Sequence, residues 1–248
     1  SKTALTGKFD QLLVKLQSRL NDTRYDFLLR PKKRTSSESL TGLMKDFVGL
    51  GDKRAKVTVL DISSVPFDVH PTVTAQIGRL AFEFNYWNPQ CREFPLFLVA
   101  EEAHAYIPRD HLGGHQGTRR SFERIAKAGR KYAVGLCVVS QRPHELSETV
   151  LAQCSSYVCL RISNPDDQEY VRSLVPDSAR GILEALPSLA QGEAIAAGEA
   201  VPMPMRFRVT MPSPPPNAQS IEYGNMWSRG PEETDVDRIV DCWRKQRR

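Results

Sequence analysis

Apolar residues recur along this chain with two different periods, and the alternation between them lays out the elements. Leu12, Leu13, Leu16 and Leu20 have helical spacing and predict a first helix over residues 7–20. Asn21-Asp22-Thr23 breaks it, and Tyr25-Asp26-Phe27-Leu28-Leu29 reads as a short extended piece. The polar run 32–39 is a loop, from which Ser39 or Thr41 can cap a helix reaching Val48. Residues 56–62 (KVTVLDI) have the composition of a strand, followed by a turn at 65–71. Val73, Ile77, Leu80, Ala81 and Phe84 then line one face of a long helix ending near Trp87. The run 94–100 (FPLFLVA) is apolar throughout and of strand length. A polar stretch at 108–117, rich in Gly and His, precedes a basic helix over 119–131. Further strands are expected at 133–140 (AVGLCVVS), 157–162, 193–197 and 205–210.

Strands alternating with helices at this spacing predict an α/β fold. Its central strands lack polar alternation, as a mostly parallel sheet covered on both faces requires. Residues 1–55 read as a helical and loop segment inserted before, or packed on, a core spanning 56–211. After Met211 the composition shifts. Pro212, Pro214, Pro215 and Pro216 among Ser and Asn make an extended linker, and a charged helix over 232–248 closes the third region, 212–248.

Composition narrows the setting. With 248 residues, 40% of them apolar, the chain can bury a real core. No run approaches the ~20 apolar residues of a membrane-spanning helix, so no membrane partner is expected. The first residues lack the pattern of a signal peptide. Five cysteines, odd in number and without CxxC spacing, read as reduced thiols of a cytoplasmic protein. The formal net charge of +5 permits a nucleic-acid partner without demanding one.

Chemistry gathers at the ends of the strands. Glu101 and Glu102 follow the apolar run directly, with Ala103 and His104 after them. A buried strand that delivers acids to its carboxyl end is how P-loop nucleotidases hold magnesium and orient an attacking water. The plainer reading is a core strand followed by a solvated acidic pair. Ser140-Gln141-Arg142-Pro143 ends the next strand, where α/β sheets bind ligands. The Gln141 amide can donate to a γ-phosphate or to the water, or simply satisfy its own loop. Arg130 and Lys131 end the basic helix. An arginine there can reach a neighbouring subunit's site, worth about 10³–10⁵ in rate, or it can merely complement the helix dipole. Arg109, Arg119 and Arg120, with His111 and His115 among glycines, suit phosphate-backbone contacts or a solvated loop equally well. His104 reads as orienting Glu102 or the strand end, not as a metal ligand.

Several of these stretches together resemble one family. They are LVAEEAH at 98–104, RIAKAGRKYAVGL at 124–136, VVSQRP at 138–143 and LRISNPDDQ at 160–168. With RYDF at 24–27, VLDIS at 59–63 and GEAI at 192–195, they look like HerA, of the FtsK–HerA superfamily of P-loop ATPases. The resemblance covers roughly residues 25–212. It implies a RecA-like core and a homo-hexameric ring that uses ATP and Mg2+ to translocate double-stranded DNA. A partner nuclease or NAD-consuming effector, as in anti-phage systems, is implied as well. It casts Glu102 as the catalytic glutamate, Glu101 as the acid on the metal side, acting through water, and Gln141 as the phosphate sensor. Arg130 becomes the arginine acting across the interface, and Arg142 a residue beside the sensor. The C-terminal tail becomes a possible brace on the adjacent subunit.

One departure stands out. No stretch reads G-x-x-x-x-G-K-[ST], the loop whose backbone donors cradle phosphates. The chain therefore reads as the C-terminal part of a longer ATPase, expected to hydrolyse ATP negligibly by itself. Two competing readings are a non-catalytic ring scaffold for an effector and a conjugation- or secretion-type ATPase.

Overall fold

At the centre of the fold two short strands run side by side in the same direction, and their carboxyl ends coincide. The computed structural model describes residues 8–31, 37–52, 54–109, 116–175, 177–215, 223–230 and 233–245. In chain order the helices and strands are α1 (Lys8–Asn21), α2 (Asp26–Leu29), α3 (Ser37–Phe47), α4 (His70–Tyr86), β1 (Leu96–Ala100), α5 (Gln116–Ala128), β2 (Val134–Val138) and α6 (Glu148–Leu151). They continue with β3 (Ser156–Cys159), α7 (Pro165–Leu174), α8 (Asp177–Leu183), β4 (Glu193–Gly198), β5 (Met205–Arg208), α9 (Tyr223–Ser228) and α10 (Val236–Lys245). The residues group into two units: Ser1–Ser36, Ser63–Pro66 and Met211–Arg248 form one, Ser37–Ile62 and Phe67–Thr210 the other.

In the smaller unit α1 follows its leucine spacing, but residues 25–29 are helical, not extended. The Asp22 side chain accepts from Arg24 N at 3.0 Å and starts a 3-10 turn, Thr23–Tyr25, that runs straight into α2. Capping of this kind favours a helical turn over a strand that has no edge to join. Tyr25 is buried, and its hydroxyl accepts from Arg19 Nη1 at 2.9 Å. The charged helix expected over 232–248 is α10 within the described residues; Pro216 and the last three residues lie outside them.

In the larger unit β1 and β2 pair in parallel, Leu96 opposite Val134 through Ala100 opposite Val138. Asn85, buried near the end of α4, fixes their entrances: its Nδ2 donates to Phe94 O at 3.0 Å and to Ala133 O at 3.3 Å. Helices α4 and α5 pack on one side of the pair, burying Phe82, Phe122 and Ile125. Gly78 permits that approach, because a Cβ there would lie 3.1 Å from the Phe122 ring. Leu98 and Ala100 face this core, while Phe97 and Val99 on the other face are 70% and 57% exposed. Phe97 lies over Gly135, where a Cβ would come within 2.5 Å of its ring.

The α/β class holds, with its parallel part confined to β1 and β2. Strands β3, β4 and β5 form a separate antiparallel sheet. Its central strand β4 buries Ala194, Ile195, Ala196 and Ala197 in succession, and Ile195 and Ala197 pack with Val171, Leu183, Leu186 and Leu189. Residues 56–62 are not a strand: no described segment pairs with them, and Val57 and Val59 are 76% and 83% exposed. Strand composition alone does not hold a segment extended without a ladder to join and a surface to pack on.

Candidate active site

The parallel register brings two loops together. Beyond the paired strands, Val139 N donates to Ala100 O at 2.9 Å and Ala103 N to Val139 O at 3.0 Å. Glu101-Glu102 and Ser140-Gln141 therefore leave the sheet as neighbours. Glu102 adopts the left-handed conformation, φ 49° and ψ 40°, as the chain turns from strand into the 3-10 segment Ala103–Ala105. A side chain in that region carries strain of order 1 kcal/mol or more.

The Glu102 carboxylate is 47% exposed yet engaged at both oxygens. Gln141 Nε2 donates to Oε1 at 2.7 Å, and His104 Nδ1 lies 3.3 Å from Oε2. His104 Nδ1 is also 3.1 Å from Ser140 Oγ, which accepts from Arg142 N at 3.0 Å. The Gln141–Glu102 and His104–Ser140 contacts join the end of β1 to the end of β2. Tyr106 fastens the first acid's backbone, its hydroxyl donating to Glu101 O at 2.8 Å. Burial, reinforced by the charges of Glu101 and Glu102, pushes the Tyr106 phenol up to about 12. It remains a neutral donor across the working range.

Arg142 turns away from Glu102 to pair with Glu145 at 2.9 Å. Arg130 is exposed in the 3-10 segment Gly129–Tyr132, at the entrance of β2. It lies a strand length, roughly 16 Å, from the acids at the other end. The geometry thus unites Glu101, Glu102, His104 and Gln141 and leaves Arg130 outside that group.

Of the cations considered for DNA, Arg109 pairs with Glu148 at 2.5 Å, and its guanidinium lies 5.6 Å over the Tyr170 ring. Arg119 is largely enclosed: it donates to Glu123 at 2.6 Å and to Arg109 O at 2.9 Å. Arg120 is exposed on α5. His111 and His115 lie outside the described residues. Burial alone would raise the Glu123 carboxyl. Hydrogen bonds from Arg119 and Ser147, with the charges of Arg119 and Lys127, outweigh burial and hold it below its ordinary range.

Two residues that sequence reasoning passed over also belong here. Asp167, 4% exposed in the first turn of α7, accepts at Oδ1 from His144 Nδ1 at 2.6 Å and from His144 N at 3.2 Å. His144 closes the loop that carries Gln141 and Arg142. The signal in the sequence is Asn164-Pro165, an N-cap followed by proline at the first helical position, which places Asp167 in an opening turn.

Among the described residues no cluster of three or more His, Cys, Asp or Glu could enclose a metal. Glu101 is an exposed, hard oxygen donor beside the site. That suits Mg2+, which keeps most of its waters and takes one or two carboxylates alongside phosphate. No described helix is long and apolar enough to cross a membrane.

A parallel strand pair ending in adjacent acids, with an amide hydrogen-bonded across to one of them, makes a candidate site on an α/β core. Comparison with known proteins carries this further. The chain is 28% identical over 230 residues to the DNA double-strand break repair helicase HerA of Sulfolobus acidocaldarius, a match covering 86% of this chain and 46% of that one. It is 31% identical over 200 residues to the HerA of Sulfurisphaera tokodaii, 77% of this chain and 39% of that one. Over 116 residues it is 38% identical to the HerA of Pyrococcus furiosus, 47% of this chain and 20% of that one. The chain is a HerA homologue, and it spans less than half the length of these relatives. No protein-family model matches it. Among solved structures, the genome packaging NTPase B204 of Sulfolobus turreted icosahedral virus 2 superposes with a TM-score of 0.49 and 13% identity, covering 72% of this chain and 73% of that one.

Proposed function

We propose that this chain supplies the hydrolytic half of an ATP-driven double-stranded DNA translocase. The observation that carries the reading is the 2.7 Å hydrogen bond from Gln141 to Glu102 at the shared end of the parallel strands. Homology to proteins named DNA double-strand break repair helicases supplies the substrate class.

In this reading Glu102 accepts the proton of a water that attacks the γ-phosphorus, and the ADP oxygen leaves with the bond's electron pair. Gln141 and His104 aim the carboxylate, and the Gln141 amide exchanges Glu102 for the γ-phosphate or the water when nucleotide binds. Glu101 would hold Mg2+ through water; when bound, the ion neutralises charge on the β- and γ-phosphates. Arg130, at the far end of β2, serves the nucleotide of a neighbouring copy in a homo-hexamer, and Arg142 braces the sensor loop. The phosphate cradle comes from residues outside those named here, so the isolated polypeptide turns over negligibly. A partner nuclease or NAD-consuming effector, a role in defence and a cytoplasmic setting complete the proposal. The lack of a G-x-x-x-x-G-K-[ST] stretch favours one alternative, a ring scaffold that does not hydrolyse nucleotide.

Phosphate release tests the reading. In a protein that carries a phosphate-binding loop together with these residues, Glu102→Gln should lower turnover by about 10²-fold or more and spare nucleotide binding. Unchanged turnover would remove Glu102 from the chemistry. Turnover by the isolated chain that Glu102→Gln abolishes would overturn only the external cradle.

A further inference from the structure

Helices α4 and α5 meet along Gly78, and on their solvent side the meeting line opens into a cleft of about 190 Å3. It is lined by Arg79, Phe82, Glu83, Arg120, Ser121 and Arg124. Three guanidiniums face one carboxylate. Glu83 Oε1 lies 3.0 Å from Arg79 Nε and 3.9 Å from Arg124 Nη1, so that single acid is shared between two arginines. Arg120 pairs with no acid among the described residues. The cleft thus keeps two formal positive charges that its own side chains leave unbalanced.

Arg124 is held ready for a ligand. Its Cζ sits 4.2 Å from the centroid of the Phe82 ring and 5.5 Å from that of Tyr86. Stacking occupies the face of the guanidinium, while its N–H donors lie in its plane, with Glu83 Oε1 standing off Nη1 at 3.9 Å, beyond hydrogen-bond distance. A planar donor set fixed over an aromatic ring loses little freedom on binding, which favours bidentate contact with a tetrahedral oxyanion.

The neighbouring positions indicate what kind of anion. Arg120, Arg124 and Lys127 recur at i, i+4 and i+7 on α5, one stripe about 10 Å long. Lys127 meets Glu123 only at 3.8 Å and stays mostly exposed. A single phosphate group would use one end of such a stripe; successive phosphates of a nucleic-acid strand use all of it. Phe82 is already covered by Arg124, so no aromatic face is offered to a base.

We propose that the α4–α5 cleft, through Arg79, Arg120 and Arg124, is a sequence-independent docking site for the phosphate backbone of duplex DNA. The proposal rests on the DNA reading above; of the cations Arg109, Arg119 and Arg120 it keeps only Arg120 and joins to it Arg79 and Arg124 on the outer face of the helix pair.

The test is fluorescence anisotropy of a labelled 30-bp duplex with the full chain, titrated with salt. The variants are Arg79→Gln/Arg120→Gln/Arg124→Gln, Arg120→Glu alone and the distant control Arg180→Gln. Each lost phosphate contact should reduce the slope of log affinity against log salt by about 0.9. The triple variant should therefore bind at least tenfold more weakly, with a slope lower by roughly 2 to 3. Arg120→Glu breaks no internal contact and should reproduce part of that loss even if removal of Arg124 perturbs the helix pair. The control should bind as the wild type does. Wild-type affinity and slope in both cleft variants would overturn the site and leave the DNA reading standing. Failure of the wild type to bind duplex at low salt would overturn both. Weakened binding of a fluorescent ATP analogue with unchanged duplex binding would make this a nucleotide site and overturn the proposal.

Discussion

Gln141 Nε2 and Glu102 Oε1 lie 2.7 Å apart, and that bond spans two strands whose sequence positions are 39 residues apart. It makes the Glu102 carboxylate and the Gln141 amide a single unit. Residues acting as one unit give non-additive losses. Gln141→Ala and Glu102→Gln should each lower turnover in the assembled ATPase, and the double variant should be no slower than the worse single by more than about twofold. Kinetics in which the two losses multiply would mean the residues act independently.

Asn85 ties the entrances of β1 and β2 to α4. Replacing it with leucine takes this donor from Phe94 O and leaves Ala133 O with Leu96 N, at a cost of about 1–3 kcal/mol. Urea unfolding should show this as a lower midpoint with an unchanged slope. A shift below about 0.5 kcal/mol would show that the entrances are held by other contacts.

Glu123 makes stability pH-dependent in a defined direction. Its folded-state carboxyl lies below the ordinary 4.5, so it binds a proton more readily unfolded than folded. Its contribution is full above that value and fades as pH falls through the folded-state value. In thermal melts from neutral to acid pH, Glu123→Gln should lose less stability below about pH 4.5 than the wild type. Parallel curves for the two proteins would remove Glu123 as a contributor.

Asp167 holds the loop that carries Gln141 at one remove, through His144. Asp167→Ala strips two donors on His144 of their acceptor, and Asp167→Asn restores an oxygen there. Hydrogen exchange should quicken over residues 141–146 in the alanine variant, by roughly tenfold or more for about 1.4 kcal/mol of lost local stability, and recover in the asparagine variant. Exchange that stays at the wild-type rate would confine Asp167 to the packing of α7.

Much of this was legible in one dimension. An apolar run ending in Glu101-Glu102, and another ending in Ser140-Gln141, marked two strands that do pair and the end at which these side chains meet, because burial and alternation are written locally. Helices α1 and α4 announced themselves by the spacing of leucine, isoleucine and phenylalanine, and α5 by its run of basic residues. What escaped is what depends on partners. Residues 56–62 have the composition of a strand and no ladder to join, and Tyr25–Leu29 follow a cap at Asp22, not their own β-propensity. The short helices α6 and α8 are too brief for periodicity to register. Arg119 read as a loop cation until its bond to Glu123 placed it indoors, and no local pattern announces that His144 will meet Asp167.

Glu102 sits at φ 49°, a conformation that glycine or asparagine adopts with less strain than glutamate. The position that would do the chemistry is thus one where a residue unable to do it would fold more comfortably. Under the proposed role of Glu102, stability and activity pull in opposite directions at this one residue. Selection for thermal endurance alone would push position 102 toward glycine or asparagine and yield a sturdier, silent protein.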